Sequence, residues 1–170
     1  MFYKIREDIF RLRSSYRLSN IVTLWFSSRG FQAICLFRCS NYLYNKGFIK
    51  FSIIFKNISI AKTGCEIGEG AIIGTGIKIG HPVGIVVSGK CSIGNNVTIQ
   101  SGVVLGVKNN ACHMAPTLGK NVYISAGAKI LGGITIGDNV VIGANAVVLN
   151  NIPDNAVVVG MPGRVIKSIN

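Results

Sequence analysis

Aliphatic residues recur every six positions through the second part of the chain. They stand at Ile67, Ile73, Ile79 and Ile85, resume after a two-residue slip at Ile93, Ile99 and Leu105, and return after a break at Leu118, Ile124, Ile130, Ile136, Ile142 and Val148. Glycine often follows, at 68, 74, 80, 94, 106, 119, 137 and 143. Neither the helical period of 3.6 residues nor the strand period of two yields a strict six. Three short straight edges per turn do. Each hexapeptide then forms one side of a triangular coil, about 18 residues close a turn, and coils stack at the inter-strand spacing of ~4.8 Å. Gly and Asn suit the corners, where left-handed backbone angles occur.

The pattern predicts a mainly β fold: a left-handed parallel β-helix of hexapeptide repeats over residues 61–170, with an extended loop at 107–117. An open prism end exposes unpaired backbone and core, and needs a cap. Residues 1–60 supply one. Glu7–Arg17, Ile21–Ser28, Phe31–Tyr44 and Ile49–Phe55 carry apolar residues at helical spacings, punctuated by Gly30 and Gly47. At the other end, Pro153 and Pro162 are expected to stop the coil.

Composition sharpens the division. The 170-residue chain carries a net charge of +12, with only 14% charged residues, so an oligomer that hides apolar surface is expected. Residues 1–60 hold ten Lys or Arg against Glu7 and Asp8, and thirteen of the fourteen aromatics. Five cysteines, at 35, 39, 65, 91 and 112, are odd in number and lack metal-ligand spacing, which points to reduced thiols in a cytoplasm and to no metal. The apolar stretch Ile21–Phe26 is too short to span a bilayer. The basic, aromatic N-terminus carries no nucleic-acid motif, and none is expected as a partner. Two readings of it stay open: helices packing on an oligomer with basic faces in water, or peripheral contact with an anionic membrane surface.

Particular words stand out within the repeat: GHPVGIVV, VTIQSGVVLG, SAGAKILGGITIGDNVVIGANAVV and IPDNAVVVGMPGRVI, with GFQA at 30–33 ahead of them. In that order they resemble the serine acetyltransferase branch of the hexapeptide acyltransferases, most of all its short members that acetylate sugars in surface-polysaccharide synthesis. The likeness is weak over residues 1–30 and strong from residue 79. It implies homotrimers that take acetyl-CoA in the groove between neighbouring prisms.

Acetyl transfer from a thioester to a hydroxyl needs a base, donors for the tetrahedral oxyanion and a route for the leaving thiolate. An imidazole, with an unperturbed pKa of about 6.5, suits the first task. His81 sits where the resemblance places the general base. His113, in KNNACHMAPTLG, stands near the family's Arg-His-Pro; it substitutes by a loop shift or is a plain loop histidine. Cys112 beside it has nothing to lower its thiol pKa. The resemblance matches Ala126, Gly127, Gly143 and Ala144 to the CoA-lining coils and Gly106 to the thioester region. Arg164 and Lys167 are candidates for the CoA phosphates, and Lys129 is a weaker one.

Three family aspartates are missing: Gly80 precedes His81, Arg13-Ser-Ser-Tyr-Arg17 replaces an Arg-Asp-Pro, and Ser59-Ile-Ala-Lys62 replaces an Asp-Ile-His-Pro. A buried ammonium without a carboxylate is costly, and Glu66 and Glu69 are the nearest acids. A backbone carbonyl or Ser59 is left to orient His81. The N-terminal region is also shorter than the family's helical domain, and SIN at the C-terminus lacks its terminal isoleucine. These features favour a carbohydrate acceptor in a surface polysaccharide or its precursor; the chain is expected in the cytoplasm, with contact at the inner face of the membrane left open. The alternatives are serine O-acetylation for cysteine synthesis and a non-catalytic trimeric assembly module.

Overall fold

A computed structural model describes residues 1–13, 18–108 and 113–168. Four helices lead: α1 (Phe2–Arg13), α2 (Leu18–Ser27), α3 (Arg29–Asn45) and α4 (Ile49–Thr63). The β-helix follows. Its first face stacks β1 (Glu66–Ile67), β4 (Val86–Val87), β7 (Val104–Gly106), β10 (Lys129–Leu131) and β13 (Val147–Val148). The second stacks β2 (Ile72–Ile73), β5 (Ser92–Ile93), β8 (Thr117–Leu118) and β11 (Thr135–Ile136). The third stacks β3 (Lys78–Ile79), β6 (Thr98–Ile99), β9 (Tyr123–Ile124), β12 (Val141–Ile142) and β14 (Ala156–Val159), and β15 (Arg164–Ser168) turns back antiparallel on β14. All the other described pairings are parallel, as one sense of coiling demands.

The hexapeptide period builds the core directly. Ile79, Ile99, Ile124, Ile142 and Val158 form one buried ladder, and Ile73, Ile93, Leu118 and Ile136 another. On the first face the ladder reads Ile67, Val87, Leu105, Ile130 and Val148, so Val87 and not Ile85 holds the position. Ile85 is buried too, but two residues ahead of its strand's ladder position, like Cys65, Ala71 and Cys91 in theirs. The slip is a corner insertion: six residues, 80–85, stand over four, 100–103, between the pairs Ile79↔Ile99 and Val86↔Val104.

Pro153 does not stop the coil. Ile152 bridges Ile136, and Ala156–Val159 makes one more rung before the chain reverses through 160–163, which contains Pro162.

Cation-rich helices seal the N-terminal end. Arg38 on α3 and Asp8 on α1 form a buried ion pair at 3.1 Å. Arg38 also donates to the carbonyls of Ile73 (2.9 Å) and Gly74, and Asp8 accepts the Ile77 N–H at 2.8 Å. Lys4 donates to Ile73 O, Arg11 to Gly76 O, and Asn41 to the carbonyls of Glu69 and Ala71. These are the groups a preceding coil would have satisfied. Burial pushes the Asp8 carboxyl above its ordinary pKa, against the pull of Arg38 and of the Ile77 amide. Part of the N-terminal positive charge is therefore bonded to backbone carbonyls. No helix among the described residues is long and apolar enough to cross a membrane.

Candidate active site

His81 lies on the edge between the third and first faces, at the two-residue insertion after β3. The insertion pushes the imidazole out of the regular corner, and His81 is exposed. Two contacts shape its surroundings. Gly30, at the start of α3, sits so close to β3 that a Cβ on it would lie 2.0 Å from Ile79 O. Only glycine permits this approach, and it accounts for the Gly of GFQA. The helix is held there by its N-cap, Ser28, whose Oγ accepts the Phe31 N–H at 3.2 Å.

The result is a cleft of about 400 Å³ between cap and prism, lined by Ser27, Ser28, Arg29, Gly30 and residues 80–83. Gly80, in place of the expected Asp, lies against the end of the Gln100 side chain. A Cβ there would meet Gln100 Oε1 at 2.2 Å, and the Gln100 amide in turn donates to Tyr123 Oη at 3.1 Å. An amide fills the flank where the resemblance puts a carboxylate.

The remaining candidates divide by edge. Ala126 and Gly127 follow β9, and Gly143 and Ala144 follow β12, on the same edge as His81. The edge is stitched by Gly102 N–H to Val83 O, Gly127 N–H to Ser101 O, and Asn145 N–H to Ala126 O, at 2.8–3.0 Å. Gly84, Gly102 and Gly127 take positive φ along it, and a Cβ on Gly127 would strike Asn145 Oδ1 at 2.0 Å. Along it Ala126 and Ala144 are exposed and Gly127 and Gly143 half-buried, a track of small residues leading away from His81. Lys129 is already engaged, donating to the carbonyls of Gly102 (2.6 Å) and Gly127 (3.1 Å), so it braces the track.

Gly106 ends β7 at the other edge of the first face. His113 belongs to the loop on that edge and is exposed, and Cys112 lies outside the described residues. Within one chain, then, His113 and Gly106 do not join His81. Arg164 and Lys167 are exposed on β15, at the far end of the prism.

Three expectations about acids and Ser59 are corrected. Ser59 Oγ bonds Cys65 O at 3.3 Å and caps the coil rather than orienting His81. Glu69 pairs with Lys56 at 3.0 Å, and Glu66 is exposed on β1, in register with Val86, and does not line the cleft that holds His81. Arg29, Gln100 and Tyr123 were not singled out from the sequence. Arg29 had a signal there: a cation directly ahead of GFQA, at a predicted helix start.

An inward aliphatic ladder of hexapeptide coils, with an exposed imidazole on a small-residue edge, fits a hexapeptide-repeat transferase. A bacterial transferase hexapeptide (six repeats) signature matches residues 115–150. The chain is 39% identical over 171 residues to a serine acetyltransferase of Bacillus subtilis, covering 98% of this chain and 78% of that one. It is 42% identical to a serine acetyltransferase of Staphylococcus xylosus, covering 83% and 66%. Among solved structures, a serine acetyltransferase from Brucella abortus in complex with coenzyme A superposes with a TM-score of 0.90 at 31% identity, covering 99% of this chain and 68% of that one. Soybean serine acetyltransferase complexed with serine gives 0.84 at 31% identity, covering 96% and 66%. The chain belongs to the serine acetyltransferase family, and is an acetyl-CoA-dependent O-acetyltransferase.

The preference for a polysaccharide acceptor is overturned by these relatives, which are serine acetyltransferases along nearly the whole chain. The missing aspartates remove one way of holding an ammonium, and leave a hydroxyl and a carboxylate open to recognition by other groups.

Proposed function

We propose that the chain transfers the acetyl group of acetyl-CoA to the hydroxyl of L-serine. The observation that carries this reading is the cleft holding His81, at the head of a small-residue edge, in a chain 39% identical to a serine acetyltransferase. His81 accepts the serine hydroxyl proton as the oxygen attacks the acetyl carbonyl. Backbone N–H groups stabilise the oxyanion. The tetrahedral intermediate then expels the CoA thiolate, which takes the proton back from the imidazolium. The pantetheine arm lies along Ala126, Gly127, Gly143 and Ala144, with Arg164 and Lys167 toward the phosphates. The active assembly is a homotrimer, in which the 107–117 loop of a neighbouring copy approaches the edge. The separation of His113 from His81 within one chain supports this arrangement.

The test is CoA release from acetyl-CoA with L-serine, for wild type and His81→Ala. Loss of a base lowers turnover by about 10²–10⁴-fold, with acetyl-CoA binding retained. Serine turnover indifferent to His81→Ala would sink the assigned base, and no turnover with serine would sink the acceptor.

A further inference from the structure

The His81 cleft holds a cation, Arg29, which is exposed and has no acidic partner among the described residues. Arg29 lines it together with His81, and no Asp or Glu does. Arg29 takes no part in the ion pairs Arg38–Asp8 and Lys56–Glu69. Its position is also electrostatically adverse. Arg29 is the first residue of α3, whose first turn contains no acid, so the guanidinium sits at the positive end of the helix dipole. A residue that violates a local stability rule beside a reactive group is a mark of function. The cleft thus offers an anion one cationic partner, on the cap side of His81.

We infer that Arg29 is the specificity residue that binds the carboxylate of the acceptor. This rests on the serine reading above. A guanidinium presents a planar fork of donors that matches a carboxylate in two parallel hydrogen bonds. The cleft faces the helical cap, whereas the edge that takes the donor leads away from His81 toward β15. The anion met by Arg29 is thus the acceptor's, and the CoA phosphates belong to the other end. With no carboxylate lining the cleft, the acceptor is gripped by its own carboxylate more than by its ammonium.

Steady-state kinetics of wild type, Arg29→Gln and Arg29→Lys test this, with L-serine and with L-serinamide, which keeps the hydroxyl and ammonium but lacks the anionic carboxylate. In Arg29→Gln the KM for serine rises by about tenfold to a hundredfold, as the loss of a hydrogen bond between charged groups implies. The kcat falls less, and the KM for acetyl-CoA stays within about twofold. Serinamide is a poor acceptor for wild type and variant alike, and Arg29→Lys recovers part of the serine KM. The Arg29→Gln protein melts no lower than wild type, since the helix loses an adverse charge. An unchanged serine KM, or equal losses with serine and serinamide, overturns the assignment of Arg29 alone. No serine turnover by wild type overturns the serine reading, and the assignment falls with it.

Discussion

At Gly30 the backbone of α3 meets the backbone of β3 with no room for a methyl group: a Cβ would lie 2.0 Å from Ile79 O, and a carbonyl cannot yield as a flexible side chain can. Gly30→Ala should therefore cost about 1–3 kcal/mol, read as a lower urea midpoint. It should also lower activity by moving Ser28 and Arg29 away from His81. The buried thiols behave differently from the exposed edge. Burial pushes Cys65 up to about 12 and Cys91 up to about 11, so both remain protonated thiols at pH 8. Neither should be alkylated by iodoacetamide at that pH in the folded protein, and both should be in urea, as mass mapping of the modified peptides will show. Labelling of the native protein at either position would mean that the first coils open readily.

Helix α3 is held to the prism by a charge pair that doubles as a coil cap. Arg38 joins Asp8 of α1 to the carbonyls of Ile73 and Gly74, and both side chains are almost fully buried. Arg38→Met keeps much of the stem's packing but leaves the Asp8 carboxyl without its cation and the Gly74 carbonyl without its side-chain donor. Breaking a buried pair on one side costs about 3–5 kcal/mol, so thermal unfolding should move down sharply. An unchanged melting temperature would show that the helices contribute little to closing the coil. None of this was legible in the sequence. The cap depends on contacts between residues 30 to 70 positions apart, and composition shows only that the N-terminus is basic. The coils themselves were legible, because their signal is local: each aliphatic residue, six from the last, points inward. The reading failed where two aliphatics competed, at Ile85 and Val87, since only the pairing with Ile67 decides between them.

For the whole molecule, position along the sequence maps onto position along an axis. His81, Ala126, Gly127, Gly143 and Ala144 fall on one edge because each follows a strand of the third face. The resemblance had named them, and coil arithmetic brings them together. Gly106 and His113 fall on another edge, and no count along a single chain joins them to the first. The acceptor is not legible in the absence of the family's carboxylates, because an absence excludes one grip and names no other. Arg29, a cation directly ahead of GFQA, is visible in the sequence, but only the cleft sets it beside His81.

The corner insertion at residues 80–85 has a metric consequence. A prism of equal rungs is a ruler graduated at ~4.8 Å, and the extra pair of residues is the zero mark from which the track is measured. Ala144 stands three rungs beyond His81, ~14 Å along. Adding or removing one whole turn between them would preserve every ladder and yet shift the far end of the track by a full graduation. For a donor lying along this edge, as proposed above, reach is matched by an integer, the number of turns, which point substitutions cannot adjust.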